Sequence, residues 1–163
     1  MTPAASGEEI VFGACRPGYE SGDTLPAAVE TWIQEMQSHD IKGVCCLLAD
    51  KREYYEDLLG RYKTAFRSEQ VCHAPIIDRR TVSEDTLTDV ILPFLRGADD
   101  ASERVVVHCS AGMGRTGHVL ALWLACERGY SVEEAIEAVE EMGRRPLEAA
   151  TLGELEALAS VLG

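Results

Sequence analysis

Residues 104–128 read RVVVHCSAGMGRTGHVLALWLACER and join an apolar run, a glycine-bearing loop and a second apolar run. The three consecutive valines predict a strand over residues 104–108 that is buried on both faces, as strands of parallel sheets are. The second run predicts a helix over residues 116–128. Ligands of open α/β sheets bind beyond the carboxyl ends of the strands, so the loop between these two elements is the candidate functional site.

The loop has the composition of an anion-binding site. Its backbone offers successive N–H groups, and Gly112 and Gly114 permit the angles at which such groups converge on one anion. The following helix adds the positive end of its dipole, and Arg115 adds a planar cationic fork that binds two phosphate oxygens. We therefore predict a site for a phosphate group, formed by Ser110, Ala111, Gly112, Met113, Gly114 and Arg115.

Cys109 stands at the start of this loop, where the surrounding positive field favours its thiolate form. The thiolate is the nucleophilic form of cysteine, so we predict that Cys109 attacks the phosphorus of a bound phosphomonoester. Thr116 has two candidate roles that can coexist. Its hydroxyl can donate a hydrogen bond to the Cys109 sulfur and tune its reactivity, or it can cap the helix.

Such an attack needs an acid that protonates the leaving oxygen. Asp78 lies in CHAPIIDRRTVS, residues 72–83, after a predicted strand and before a predicted helix. Its loop can lie beside the predicted phosphate-binding loop, residues 109–115, which we call the phosphate loop, if the two strands share one sheet. Asp78 is therefore our candidate general acid. The alternative is that Asp78 is only a turn residue. Two arginine pairs, Arg79 with Arg80 and Arg144 with Arg145, can contact substrate but are interpreted as solvated loop residues.

The rest of the chain predicts helices alternating with strands. Helices are predicted over residues 26–39, 54–66, 83–95, 132–142 and 151–162, and strands over residues 10–12, 41–48 and 70–74. Pro93 is unfavourable inside the third of these helices. This order is typical of a three-layer α/β fold with a central, mostly parallel sheet of about four to five strands flanked by helices. We expect residues 1–163 to form a single domain, with residues 1–25 partly flexible.

Charge and composition limit the partners and the location. With 15 basic and 28 acidic residues the net charge is −13, which disfavours nucleic acids and anionic membranes. No run approaches the roughly 18 apolar residues of a membrane span, and the N-terminus does not resemble a signal peptide. We expect a cytoplasmic protein, monomeric by default, whose partner is a phosphorylated substrate. The acidity leaves open a high-salt habitat.

The six cysteines show no paired framework, so reduced thiols are expected. The four histidines are scattered, and His118 is interpreted as packed on its own helix. No cluster has the spacing of metal ligands, and the predicted reaction needs neither metal nor cofactor.

The stretch HCSAGMGRTG, residues 108–117, resembles the signature of the cysteine-dependent protein tyrosine phosphatases. The chain length and the 31 residues from Asp78 to Cys109 resemble the dual-specificity branch, and HAPIIDRRT is similar to the acid loop of kinase-associated phosphatases. The resemblance covers roughly residues 41–142 and does not include the first forty. It implies a protein tyrosine phosphatase-like fold, in which His108 supports the loop by hydrogen bonds rather than acting as a base.

The resemblance also implies a protein phosphatase that acts on phosphotyrosine, and in this branch on phosphoserine and phosphothreonine, through a phosphocysteine intermediate. Lipid-phosphate members of the superfamily commonly carry lysines in the loop, where this chain has Ser110, Ala111 and Met113. Protein phosphate is therefore the preferred substrate. A phosphoinositide, nucleotide or RNA phosphate remains an alternative, as does an inactive phosphate-binding module.

Two further features follow from the resemblance. In some relatives a cysteine on the strand matching residues 41–48 forms a reversible disulfide with the nucleophile, so Cys45 and Cys46 are candidate redox partners of Cys109. Larger members position the hydrolytic water with a glutamine, which RRPLEAAT, residues 144–151, lacks. The residue that orients this water is left open.

Overall fold

The central sheet has five strands within the described chain, residues 1–49 and 51–162 of the computed structural model. Their spatial order is β1-β2-β5-β3-β4. Strands β2, β5, β3 and β4 are parallel to one another, and β1 pairs with β2 in the antiparallel direction. The bounds are β1 Thr2–Pro3, β2 Val11–Ala14, β3 Ile41–Leu48, β4 Val71–Ile76 and β5 Arg104–His108.

Two helical layers cover the sheet. One face packs against α1, Pro26–Ser38, and α2, Leu58–Phe66, whereas the other packs against the later helices. Val106 points into the first layer and its neighbours Val105 and Val107 into the second, which explains why β5 is apolar at successive positions. The predicted three-layer α/β fold is confirmed. The later helices are α3 Glu84–Thr86, α4 Leu92–Ala101, α5 Gly114–Glu127, α6 Val132–Glu141 and α7 Leu152–Leu162.

Register places the carboxyl ends of the strands together. His108 at the end of β5 pairs with Ala14 of β2 and with Cys46 of β3, and Leu48 of β3 pairs with Ile76 of β4. The segments that follow β4 and β5 therefore leave the sheet at the same edge. This edge carries both the loop of residues 109–114 and the turn that contains Asp78.

Two predicted helices differ from the structure in extent. The helix predicted from residue 54 begins at Leu58, because Asp57 adopts φ +51° and accepts a hydrogen bond from the Gly60 N–H as its cap. The helix predicted over residues 83–95 continues to Ala101 through a π-helical segment, Leu87–Ile91. There the Leu92 N–H donates to the Leu87 carbonyl, five residues back, and Pro93 lies in the first turn of α4, where the N–H that it lacks is not needed.

The N-terminal segment packs against the sheet and the later helices. Ala4 and Ala5 are buried in the core, and the carboxylate of Glu8 is paired with Arg128. Arg16 donates hydrogen bonds to the carbonyls of residues 17 and 23 and to the Tyr55 hydroxyl. Strand β1 was not predicted, because a two-residue edge strand has no periodicity to detect. No helix among the described residues is long and apolar enough to span a bilayer.

Candidate active site

Cys109 lies at the base of a cavity of about 300 Å³, directly after β5. Its side chain is 2% exposed, and the Gly112 N–H donates a hydrogen bond to its Sγ at 3.2 Å. The predicted phosphate-binding residues Ser110, Ala111, Met113, Gly114 and Arg115 line the same cavity. The loop therefore places the Gly112 N–H on the sulfur and lines the cavity above it, an arrangement suited to a bound anion.

Close packing against β2 fixes the shape of the loop. Gly112 has φ +76°, and a Cβ at this position would lie 2.6 Å from the Ala14 carbonyl oxygen. Only glycine satisfies both the angle and the space. Met113, in the cap position of α5, makes no side-chain cap hydrogen bond, and Gly114, the first residue of the helix, lines the cavity, so the helix directs its positive end at the cavity.

Arg115 connects the phosphate loop to the end of β4. Its guanidinium is 3% exposed, and its Nη1 donates a hydrogen bond to the Ile76 carbonyl at 3.1 Å. Its Nη2 lies 3.5 Å from Oδ1 of Asp78, two residues further along. The side chain of Asp78 is 60% exposed and lines the cavity of Cys109. The structure thus brings together the three residues predicted as nucleophile, phosphate ligand and acid.

His108, the last residue of β5, supports the phosphate loop through hydrogen bonds. Its Nδ1–H donates to the Cys109 carbonyl at 3.0 Å, so its Nε2 accepts from the Tyr62 hydroxyl at 2.9 Å. The imidazole also makes edge contacts with the rings of Tyr62 and Trp32. Burial lowers the pKa of His108 to about 4, which keeps it neutral near pH 7. A fully buried, neutral histidine is suited to structural support.

Neither role predicted for Thr116 is observed. Its hydroxyl is buried and makes no hydrogen bond within the part of the chain that the structure describes, so the predicted bond to the Cys109 sulfur is not formed. The cap prediction was also wrong, because α5 begins two residues earlier, at Gly114, with Met113 in the cap position.

Arg144 was interpreted as a solvated loop residue, and the structure corrects this. It is 7% exposed and donates hydrogen bonds to the carbonyls of Gly112 and Gly13 and to the Thr2 hydroxyl. It therefore holds the phosphate loop against β2. Its neighbour Arg145 is solvated as predicted and pairs with Glu148 at 3.3 Å. In the other pair, Arg79 lines the cavity at φ +61° and is exposed.

His118 connects α5 to the loop that carries Asp78. Its Nδ1–H donates to the Gly114 carbonyl at 3.0 Å, and its Nε2 accepts from the Val82 N–H at 3.0 Å. Beside it, the Thr81 hydroxyl lies 2.7 Å from Oε2 of Glu154 on α7. The sequence offered one signal for His118, a polar residue within an apolar helix.

The candidate redox cysteines lie in β3 and are fully buried. Two causes raise the pKa of Cys45 well above its usual value: the larger is its hydrogen bond with the Cys72 thiol, and the smaller is burial. Burial raises the pKa of Cys46 to about 12. All six cysteines are free, and the described residues contain no group of histidine, cysteine and carboxylate side chains placed to hold a metal.

A family model described as "Tc-R-P: Polymorphic toxin system, DSP-PTPase phosphatase" matches residues 21–128 of this chain. The match covers more than half of the chain. It includes Asp78, Cys109 and Arg115.

Two curated proteins are similar over shorter stretches. Tyrosine-protein phosphatase cdc-14 of Caenorhabditis elegans is 37% identical over 60 residues, which are 37% of this chain and 8% of that protein. Dual specificity protein phosphatase OPG106 of vaccinia virus (strain Western Reserve) is 29% identical over 74 residues, 45% of this chain and 43% of the viral protein. The chain thus spans less than half the length of either relative.

Solved structures extend the likeness to nearly the whole chain. The active form of Tk-PTP matches with a TM-score of 0.71 and 25% identity over 99% of this chain and 97% of that one. PTPMT1 in complex with PI(5)P matches with a TM-score of 0.71 and 19% identity, over 95% and 93% of the two chains. Kinase-associated phosphatase matches with a TM-score of 0.59 and 21% identity, over 77% and 71%. These matches confirm the protein tyrosine phosphatase-like fold.

Proposed function

This chain belongs to the family described as polymorphic toxin system, DSP-PTPase phosphatase, and on that basis we propose that it hydrolyses phosphomonoesters through a phosphocysteine intermediate. One observation carries the proposal. The Cys109 sulfur accepts a hydrogen bond from the Gly112 N–H, in a cavity that Arg115 and Asp78 also line. Nη2 of Arg115 lies 3.5 Å from Oδ1 of Asp78.

In the first step the Cys109 thiolate attacks phosphorus, an S–P bond forms, and the bond from phosphorus to the leaving oxygen breaks. The leaving oxygen keeps that electron pair and takes a proton from the Asp78 carboxyl. The exposure of Asp78 supports this role, because the leaving group of a phosphate bound over Cys109 points toward the mouth of the cavity.

In the second step water attacks phosphorus and gives a proton to the Asp78 carboxylate. The S–P bond breaks, its electron pair returns to the Cys109 sulfur, and inorganic phosphate leaves. Arg115 and the loop N–H groups stabilise the charge on the phosphoryl oxygens in both steps. No step requires a metal or another cofactor.

We propose that the substrate is a phosphorylated protein and that residues 1–163 act as a single catalytic domain. The loop side chains of Ser110, Ala111 and Met113 bring no charge to the cavity, which suits a single phosphate group. The ring of Tyr19, 44% exposed, forms part of the wall. An aromatic wall favours the phenyl ring of phosphotyrosine over a polar headgroup.

Hydrolysis of p-nitrophenyl phosphate and phenyl phosphate in the presence of EDTA tests the proposal. Cys109→Ser should reduce turnover to background, and Asp78→Asn should reduce kcat on phenyl phosphate by about 100-fold. Cys126→Ser, which lies outside the cavity, is the control and should retain wild-type rates. Unchanged turnover in Cys109→Ser would overturn the mechanism, and an unaffected Asp78→Asn would remove Asp78 from the role of general acid.

A further inference from the structure

His118 lies one turn into α5 and is completely buried. Because its Nδ1–H donates to the Gly114 carbonyl, its Nε2 carries a lone pair directed away from the phosphate loop. That lone pair accepts the Val82 N–H at 3.0 Å. A single neutral imidazole therefore bridges the end of the phosphate loop and the segment that follows Asp78.

The segment from Ile76 to Val82 is bound to α5 at both of its ends. At one end the Ile76 carbonyl accepts from Arg115, and at the other the Val82 N–H donates to His118. Asp78 lies between these two attachments on an exposed turn, where Arg79 has a positive φ. Within the turn the Arg80 N–H donates to the Ile77 carbonyl, and the Asp78 carboxylate lies 3.5 Å from Nη2 of Arg115. The two attachments hold the ends of this turn against α5.

We propose that His118 is a positioning residue that holds the Asp78 loop over the phosphate loop in the orientation needed for proton transfer. This inference rests on the proposed function, in which Asp78 is the general acid. His118 does not touch the substrate. It acts through the backbone of Val82, and a misplacement of about 1 Å at a catalytic group can cost about 100-fold in rate.

The surroundings of His118 keep its Nε2 available as an acceptor. Burial lowers the pKa of the imidazole to about 4, so the ring is neutral at neutral pH. The charged groups that act on it are Glu154 from α7 and Arg115 from its own helix. Glu154 is itself held by the hydroxyl of Thr81, next to Val82, so the same segment is also fixed to α7.

Three substitutions separate positioning from packing. His118→Gln keeps an uncharged acceptor near the position of Nε2, so the bond from the Val82 N–H can still form. The shorter side chain of His118→Asn can donate to the Gly114 carbonyl but does not reach the Val82 N–H. His118→Leu removes both hydrogen bonds. His39→Gln, on an exposed residue at the end of α1, is the matched control. Thermal unfolding of each variant identifies any that fail to fold. His118→Asn keeps the test valid if the leucine variant is unstable.

The deciding measurement is kcat/KM for aryl phosphates whose leaving groups differ in pKa, in wild type, Asp78→Asn and the His118 variants. A misplaced general acid slows hydrolysis most for substrates whose leaving group has a high pKa and needs the proton. The kcat/KM of His118→Asn and His118→Leu should therefore fall by about 10-fold to 100-fold on phenyl phosphate and change little on dinitrophenyl phosphate. His118→Gln should recover most of the loss. The affinity for inorganic phosphate should not change, and His118→Leu should add no further loss to Asp78→Asn.

An equal loss on all leaving groups, or a weaker affinity for inorganic phosphate, would show that His118 only supports the fold and would overturn the inference. So would a loss on phenyl phosphate that persists fully in the Asp78→Asn background. Failure of the proposed function has a different signature, because Cys109→Ser would then remain active or Asp78→Asn itself would show no dependence on the leaving group.

Discussion

Arg144 occupies the space that Gly13 leaves by having no side chain. A Cβ on Gly13 would lie 2.7 Å from Cζ of Arg144, and the guanidinium donates to the carbonyls of Gly13 and Gly112. The second β-strand and the phosphate loop are therefore joined through one buried cation. This relationship makes Arg144 a determinant of loop shape, although it lies outside the signature.

We predict that Arg144→Ala lowers both stability and activity. Removing the guanidinium leaves two buried carbonyls without its hydrogen bonds, which should cost about 2–4 kcal/mol of unfolding free energy. The loosened loop should reduce kcat/KM on p-nitrophenyl phosphate by at least about 10-fold. Denaturant unfolding and steady-state kinetics provide the two readouts. Arg145→Ala is the adjacent control and should match wild type, since Arg145 is 73% exposed. Equal effects at the two positions would contradict the assigned role of Arg144.

Gly112→Ala should abolish phosphate binding while the chain still folds. The added Cβ would lie 2.6 Å from the Ala14 carbonyl oxygen at φ +76°, so the loop must move and its N–H groups no longer converge. We expect kcat/KM to fall by about 100-fold or more. Gly143→Ala is the matched control, because Gly143 has φ +91° but no atom within 4 Å of its added Cβ. Similar activity in the two variants would rule out the steric explanation.

The sequence predicted strands β3 and β5 well because strands buried on both faces are continuous apolar runs. Asp78 could be placed near Cys109 because the carboxyl ends of parallel strands meet at one edge. The contacts of Arg144 and His118 could not be predicted. They join residues separated by 131 and 36 positions, and no local pattern records such pairs. The start of α2 was missed because Asp57 stops the helix by a backbone angle rather than by polarity.

Stability should fall as the pH is lowered from about 6.5 to about 4. The pKa values of His108 and His118 are lowered from 6.5 to about 4 by burial, so between these values the unfolded chain binds more protons than the folded one. Each histidine should cost about 3 kcal/mol of unfolding free energy across this range. Urea unfolding at pH 7.0 and pH 4.5 measures the effect. His118→Gln should show a shallower pH dependence than wild type. A pH dependence unchanged by this substitution would contradict the assignment.

Mild peroxide should over-oxidise Cys109 rather than produce a protective disulfide. A resolving cysteine must attack as the thiolate, and the pKa of Cys46 is raised to about 12 by burial, while that of Cys45 is raised well above its usual value by Cys72 and by burial. We expect mass mapping to find sulfinic acid at Cys109, and activity that a thiol reductant does not restore. Cys46→Ser should behave as wild type. A disulfide from Cys109 to Cys45 or Cys46 would show that β3 opens far enough to expose these thiols.

Phosphotyrosine peptides should be better substrates than soluble inositol phosphates. Arg115 and Arg79 are the basic side chains in the described lining of the cavity, and the carboxylates of Asp78 and Glu148 lie beside them. A headgroup with several phosphates would meet these carboxylates, whereas a single phosphate on a phenyl ring uses Arg115 and the loop amides. We expect kcat/KM to favour the peptide by at least about 10-fold, measured as phosphate release at fixed ionic strength.

Two charge reversals test this explanation. Glu148→Lys should narrow the difference in kcat/KM between the two substrates, because it replaces a repulsive charge in the cavity with an attractive one. Glu141→Lys, on α6 and outside the lining, should leave the difference unchanged. A preference of the wild type for inositol phosphates would instead assign the cavity to a non-protein phosphate and leave the roles of Cys109 and Arg115 intact.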